Sequence, residues 1–374
     1  MAGSPYFLGL FGRDSLITSW QLLDYDPKIC KTTLKILSRL QGERKNFTKG
    51  EEPGKILHEY YPKTTSKSWW KKYKSHVQWL KIGRPAYMSL DSTALFLIVL
   101  AKYYKKTKNK EFIQNLWPNV KRALNWLIKF ADTDKDGFFD YKKRKQGKGL
   151  AVQSWKDGEG YLFSDIKSPI APVEVQGYVF LAFKEIANLS GILKKDSLKK
   201  DLEKRAKKLK KEFNQKFWMG SRSFFAMVLG KNGEKKKTIT SNPGHLLFTG
   251  ICDKEKEKKV IKRLFKPDLW TSYGIRTHSM LEPDYDPLSY QKGSIWPHDN
   301  WIISQGLKKL GYKKKYLKIK KALFMAYKEL GKIPEYYGVI DGEIIGLARA
   351  CYPQAWSAGA LLNFLLESER KTFS

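Results

Sequence analysis

The chain has 374 residues, 42% of them hydrophobic, with 20 Phe, 20 Tyr and 12 Trp, which excludes disorder as a whole and supplies a sizeable core. No apolar run reaches 18 residues and no basic-plus-apolar leader is present, so neither membrane spanning nor secretion is expected. The formal charge is +34, yet the excess is mostly lysine mixed with acids at helical spacing, as in "KKDSLKKDLEKRAKKLKKEF" (194–213). That pattern describes a solvated helix face, unlike the Arg-and-aromatic stripe of a phosphate reader, and predicts no nucleic-acid partner.

In chain order, apolar periodicity predicts helices over 14–24, 27–41, 91–106, 109–131, 172–190, 196–217, 242–252, 254–266, 295–309, 313–329 and 353–367. Only 223–240, with its Asn-Gly turn, reads as a hairpin. The helices alternate in character. One member of each pair is lysine-rich and amphipathic (27–41, 109–131, 196–217, 254–266, 313–329). The other is short of charge, as in "DSTALFLIVLA", "PVEVQGYVFLAF" and "PQAWSAGALLNFLL". A helix apolar all round must be surrounded by protein. The alternation therefore predicts an all-α fold in two concentric layers, an (α/α)6 toroid barrel with a small β-hairpin insertion. No Ser/Gly-rich linker divides it, so one domain over 1–374 is expected. Six inner helices face only five outer ones, which leads us to expect that the sixth partner belongs to a longer protein.

Each inner helix opens on polar or aromatic residues: Arg13 and Asp14; Tyr87 and Asp91; Glu174 and Gln176; Asn242 and His245; Trp296, His298 and Asp299; Gln354 and Trp356. In a ring of helical hairpins these starts share one rim, where free backbone N–H groups also point. They would converge on one pocket, although Asp14, Asp91 and Asn242 are also good helix caps. Two loops add carboxyls. "AVQSWKDGEGYLFSD" (151–165) places Asp157 two residues after Trp155, and "GKIPEYYGVIDGE" (331–343) places Glu335 beside a proline and two tyrosines. Glycoside hydrolysis needs two carboxyls flanking the bond, and an aromatic neighbour keeps one of them protonated by disfavouring its anion.

"DTDKDGFFD" (132–140) resembles the start of a calcium loop, but the twelfth position from Asp132 is Lys143 rather than a bidentate Glu. A helix-ending turn is expected there. The histidines show no metal-ligand spacing, and Cys30, Cys252 and Cys351 are widely separated, which fits a reducing cytoplasm. No metal and no cofactor are expected.

The blocks "GLFGRDSLIT", "EEPGKILHE", "QSWKDG", "PIAPVEVQGY", "SNPGHLLFTGI", "YGIRTHS", "YDPLSYQKGSIWPHDN" and "ACYPQAWSAGA" run in order from about residue 5 to 367. Together they resemble the bacterial and archaeal amylo-α-1,6-glucosidase (glycogen-debranching) family, related to glucosidase I and mannosylglycerate hydrolase. The resemblance implies an (α/α)6 barrel that hydrolyses α-linked glucans with inversion. It assigns Asp157 as general acid and Glu335 as general base, at a separation of about 6.5–9.5 Å. Arg13 and Asp14 would grip the hydroxyls of the terminal sugar. Asp91, Glu174, His245, Trp296 and His298 would line the same subsite, with His58 added from "EEPGKILHE". The implied partner is an α-glucan oligosaccharide or glycogen-like polysaccharide. The alternatives are a small α-glycoside (trehalose, glucosylglycerate or mannosylglycerate) and a non-catalytic carbohydrate-binding subunit. Two departures stand out. Many relatives carry a serine where this chain has Gly158, and an N-terminal β-rich domain precedes the "FGRD" block in longer relatives. We therefore expect that domain to be missing here or supplied as a separate polypeptide.

Overall fold

A computed structural model describes residues 1–73, 83–144, 148–160 and 162–372, with side chains to 367. The helices are α1 (Gly12–Gln21), α2 (Pro27–Arg39), α3 (Lys67–Tyr73), α4 (Ser92–Thr107), α5 (Lys110–Asn115), α6 (Trp117–Lys129), α7 (Val173–Ile192), α8 (Asp196–Lys216), α9 (Lys254–Leu264), α10 (Pro297–Lys309), α11 (Lys313–Leu330) and α12 (Ala355–Thr372). No described helix is long and apolar enough to cross a membrane.

The division into buried and half-exposed helices holds. In α4 every residue from Ser92 to Ala101 is buried, whereas α8 buries a stripe of Leu202, Ala206, Leu209 and Phe213 at spacings of four, three and four. The charge-poor segments close a ring: α1 packs on α4, α4 on α7, α7 on the 3-10 segment Asn242–Phe248, that segment on α10, α10 on α12, and α12 back on α1. The lysine-rich helices lie against them, α2 on α1 and α4, α6 on α4, α8 on α7, α9 on the 3-10 segment, and α11 on α10 and α12.

Several boundaries differ from the sequence expectation, each for a local reason. The helix expected over 109–131 is two, because Pro118 lacks an N–H and its ring clashes with the carbonyl four residues back; Asn109 caps the first piece by accepting from Phe112 N at 2.9 Å. The helix expected over 242–252 is the short 3-10 turn instead, since Pro243 and Gly244 are poor helix formers. The 223–240 hairpin forms by pairing Val228–Leu229 with Lys235–Lys236 around Asn232, which takes a left-handed φ of 61°. It also pairs with Ala171–Pro172. The insertion is thus one of five small sheets among the described residues. A second hairpin, Tyr337–Ile340 with Glu343–Gly346, turns at Asp341-Gly342, both at positive φ. Asp-Gly between β-branched residues is a strong hairpin signal, and this hairpin was not among the expected elements.

Close packing inside the ring depends on glycine where α10 crosses the 3-10 segment. A Cβ at Gly306 would lie 2.4 Å from Leu247 Cβ and 2.7 Å from Phe248 N, so the two backbones touch there. Gly306→Ala should destabilise the fold by about 1–3 kcal/mol through overpacking. A melting temperature indistinguishable from wild type in calorimetry would refute that contact.

Candidate active site

Two short strands, Leu10–Phe11 and Glu59–Tyr60, bring "GLFG" against "ILHE". Gly12 N donates to His58 O at 2.8 Å, and a Cβ on Gly12 would lie 2.2 Å from Leu57 O, so only glycine permits this approach. The junction sets Arg13, Asp14, His58 and Glu59 on one wall of a cavity of about 350 Å³. Trp155, Asp157, Gly158, Tyr290, Gln291, Trp296, Glu335 and Trp356 supply the rest, together with Phe7, Phe11 and Leu150.

Arg13 is 3% exposed and its guanidinium is shared. Its Nε and one terminal nitrogen donate to the two oxygens of Asp91 at 2.7 and 3.2 Å, and the other terminal nitrogen donates to Asp157 Oδ2 at 2.8 Å. Asp91 is therefore no helix cap, as its side chain bonds no N–H of α4. Asp14 lies inside the first turn of α1, and Asn242 Nδ2 donates to Glu174 Oε2 at 3.0 Å. The capping explanation is set aside for all three.

Beneath the cavity is an aromatic layer. Trp155 stacks on His245 (5.7 Å between centroids, 22°) and meets Trp296 and His298 edge-on. His298 stacks on Trp356 at 3.7 Å, and Trp296 on Tyr336 at 5.2 Å. His245 bridges Tyr178 Oη (2.6 Å) and Asp299 (2.7 Å). Burial, with Arg13 among the opposing charges, holds His58 and His298 well below their usual pKa, so both rings are neutral at pH 7.

The carboxyls are pushed the other way. Burial lifts Asp14 to about 7 against the pull of Arg13, and burial with the charges of Asp157 and Asp14 lifts Glu59 to about 8. Burial also raises Asp157 above its ordinary value despite Arg13, though 18% of its side chain stays exposed. Glu335, 1% exposed, is lifted to about 7 by burial. The hydroxyl of Tyr290 (2.7 Å) and the backbone N–H of Cys351 (3.2 Å) favour its anion.

Of the residues expected to form the site, Arg13, Asp14, His58, Trp155, Asp157, Trp296, Glu335 and Trp356 line the cavity together. Asp91, His245 and His298 contact these residues from behind, and Glu174 binds Asn242 at the start of the neighbouring ring segment. Tyr87, Gln176 and Gln354 do not line it. Tyr87 donates to Leu40 O, and the Gln176 carboxamide clamps Phe139 N, Phe139 O and Pro172 O. Gln354 is buried beside Gly3. Sequence reasoning passed over Glu59, Tyr290 and Gln291, although each lies inside a quoted block or directly after one. The acidic turn after α6 brings one oxygen of each of Asp132, Asp134, Asp136 and Asp140 within 4.8 Å of the others, and none lines this cavity.

The family model described as the mannosylglycerate hydrolase MGH1-like glycoside hydrolase domain matches residues 13–357. The chain is 30% identical to mannosylglycerate hydrolase MGH1 of Selaginella moellendorffii over 122 residues, 33% of this chain and 24% of that protein. It is 22% identical to the mannosylglycerate hydrolase of Rubrobacter radiotolerans over 254 residues, 67% of this chain and 55% of that protein. The matches thus span between a quarter and about half of these relatives. The GH63 mannosylglycerate hydrolase from Thermus thermophilus, solved in complex with glucose, superposes with a TM-score of 0.74 at 16% identity, covering 98% of this chain and 95% of that one.

The raised carboxyls give a stability prediction. Glu59 binds its proton more tightly folded than unfolded, so its contribution is complete below the unfolded value near 4.5 and is lost as pH rises through about 8. Glu59→Gln removes that loss. Its melting temperature relative to wild type should rise steadily from about pH 5 to about pH 9, and a constant difference across that range would show that Glu59 is not so buried.

Proposed function

This chain belongs to the mannosylglycerate hydrolase MGH1-like glycoside hydrolase family, and from that premise we propose that it hydrolyses a small α-linked glycoside with inversion of the anomeric centre. The observation that carries the reading is the pair Asp157 and Glu335, from loops 178 positions apart in the chain, on the wall of one cavity. We read the closed ring and its outer helices as an (α/α)6 toroid holding that cavity at one rim, in a single catalytic domain.

Asp157 is the proton donor. Its Oδ2 is taken by Arg13, which leaves Oδ1 to carry the proton towards the glycosidic oxygen. Its raised pKa favours that protonated state, and the exposed fraction of the side chain provides the approach. Glu335 is the base. Both its oxygens accept hydrogen bonds, an arrangement suited to an anion that takes a proton from water while water attacks the opposite ring face. Asp14 and Glu59 face the same space with pKa values near or above neutrality, so each can donate as well as accept towards sugar hydroxyls. Trp155, Trp296 and Trp356 give the sugar apolar walls.

The cavity of about 350 Å³ favours a small glycoside over a branched polymer, since it lies near the lower end of small-molecule clefts. The relatives named mannosylglycerate hydrolase point to the same class. Release of glucose at α-1,6 branch points is the second reading, carried by the sequence blocks.

A panel of mannosylglycerate, glucosylglycerate, trehalose and α-1,6-branched dextrins, followed by NMR, tests both. The small glycosides should be cleaved with the β-anomer appearing first, and an α-anomer appearing first would contradict inversion. Asp157→Asn and Glu335→Gln should each lower kcat by about 10²–10⁴-fold. Because Glu335 must be ionised, kcat/KM should rise with pH through about 7. Full activity at about pH 5 would remove Glu335 from the role of base.

A further inference from the structure

We propose that two consecutive residues, Tyr290 and Gln291, fix the spacing between acid and base, Gln291 by gripping the loop that carries Asp157 and Tyr290 by holding Glu335. The inference rests on the roles given to Asp157 and Glu335 above.

Gln291 is 1% exposed and uses both ends of its carboxamide. Its Oε1 accepts from Gly158 N at 3.0 Å, and its Nε2 donates to Trp155 O at 2.8 Å. Those two atoms stand on either side of Lys156-Asp157, so one side chain spans the turn that presents the acid. The backbone N–H of Gln291 adds a third bond, to Glu159 Oε1 at 3.1 Å. A loop residue with an exposed flank, as Asp157 has, gains its orientation from such bonds and not from packing.

Tyr290 points to the other carboxyl. Its hydroxyl donates to Glu335 Oε1 at 2.7 Å, and its ring meets Trp296 and Tyr336 edge-on at 4.8 and 5.0 Å. Its carbonyl accepts from Ser294 Oγ (2.6 Å) and from the indole of Trp296 (2.7 Å), so ring and backbone are both held. The ring also lies across Gly158, where a Cβ would come within 2.1 Å of Tyr290 Cδ1. That contact accounts for the glycine after Asp157: a serine there would push Tyr290 off Glu335.

A single peptide link, about 3.8 Å from Cα to Cα, therefore joins the holder of the acid loop to the holder of the base. Inversion needs a fixed gap with room for one water, and a displacement of about 1 Å is enough to lower the rate strongly. Tyr290 and Gln291 are positioning residues. Tyr290 also stabilises the Glu335 anion, which separates its effect from a purely structural one.

The test compares Tyr290→Phe, Gln291→Leu and Gln291→Glu with wild type, using the best glycoside of the panel. Tyr290→Phe removes the donor to Glu335, so the acidic limb of kcat/KM against pH should move up by about one unit. Gln291→Leu should lower kcat by about 10–100-fold with KM little changed and both limbs in place. Should Gln291→Leu fail to fold, Gln291→Glu keeps the acceptor for Gly158 N, loses the donor to Trp155 O, and should show the same lowered kcat. An unmoved limb in Tyr290→Phe, or wild-type kcat in a folded Gln291 variant, overturns the proposal while leaving the hydrolase reading intact. A wild-type protein inactive on every glycoside of the panel overturns both.

Discussion

An arginine cannot shed its charge, and Arg13 is almost wholly out of water. Its guanidinium must be paired, and the pairing organises the site. Asp91 takes one edge from the start of α4, and Asp157 takes the remaining nitrogen from a loop 144 positions away. Three chain segments meet because one charge has to be answered. Losing either partner would leave part of a buried guanidinium unpaired, so α1, α4 and the loop carrying Asp157 hold one another in register.

The same charge sorts the carboxyls. Asp91 and Asp157 bond it directly, whereas Asp14, Glu59 and Glu335 do not. Burial disfavours the anion at these last three, and mutual repulsion adds to it; burial also raises Asp157, where Arg13 offsets only part of the shift. The site thereby acquires protonated and ionised carboxyls near neutral pH from identical functional groups in unequal surroundings. Glu335 is drawn back towards ionisation by Tyr290 and Cys351, whereas Asp157 is answered by the guanidinium of Arg13. Asp157 and Glu335 thus differ in their bonding as well as in their place.

The fold was legible because its logic is periodic. A helix such as α4, buried on all sides, and one such as α8, buried on a stripe, write different patterns, and their alternation gives the layers. Asp157 and Glu335 were legible from the aromatics beside them and from resemblance. Glu59, Tyr290 and Gln291 were not, because their meaning lies in partners far along the chain. Nothing about "SYQKG" says that its glutamine will reach Trp155 and Gly158 or that its tyrosine will reach Glu335. Conversely, Gln176 reads as a rim residue by position, but its carboxamide is committed to backbone groups at Phe139 and Pro172, a need that no local pattern reveals.

The charge of the whole chain bears on the site less than its size suggests. Of the 71 Lys and Arg, 22 lie on the outer helices α8, α9 and α11, whereas the cavity holds Arg13 and four carboxyls. A positive shell would favour ionised carboxylates within, opposing the upward shifts. Exposed charges are screened over about 8–10 Å at physiological salt, whereas the pairs around Arg13 act at hydrogen-bond distance in a medium of low polarity. Local burial therefore prevails over the global field. A basic chain can keep an acidic, partly protonated pocket because desolvation works at shorter range than the lysines reach.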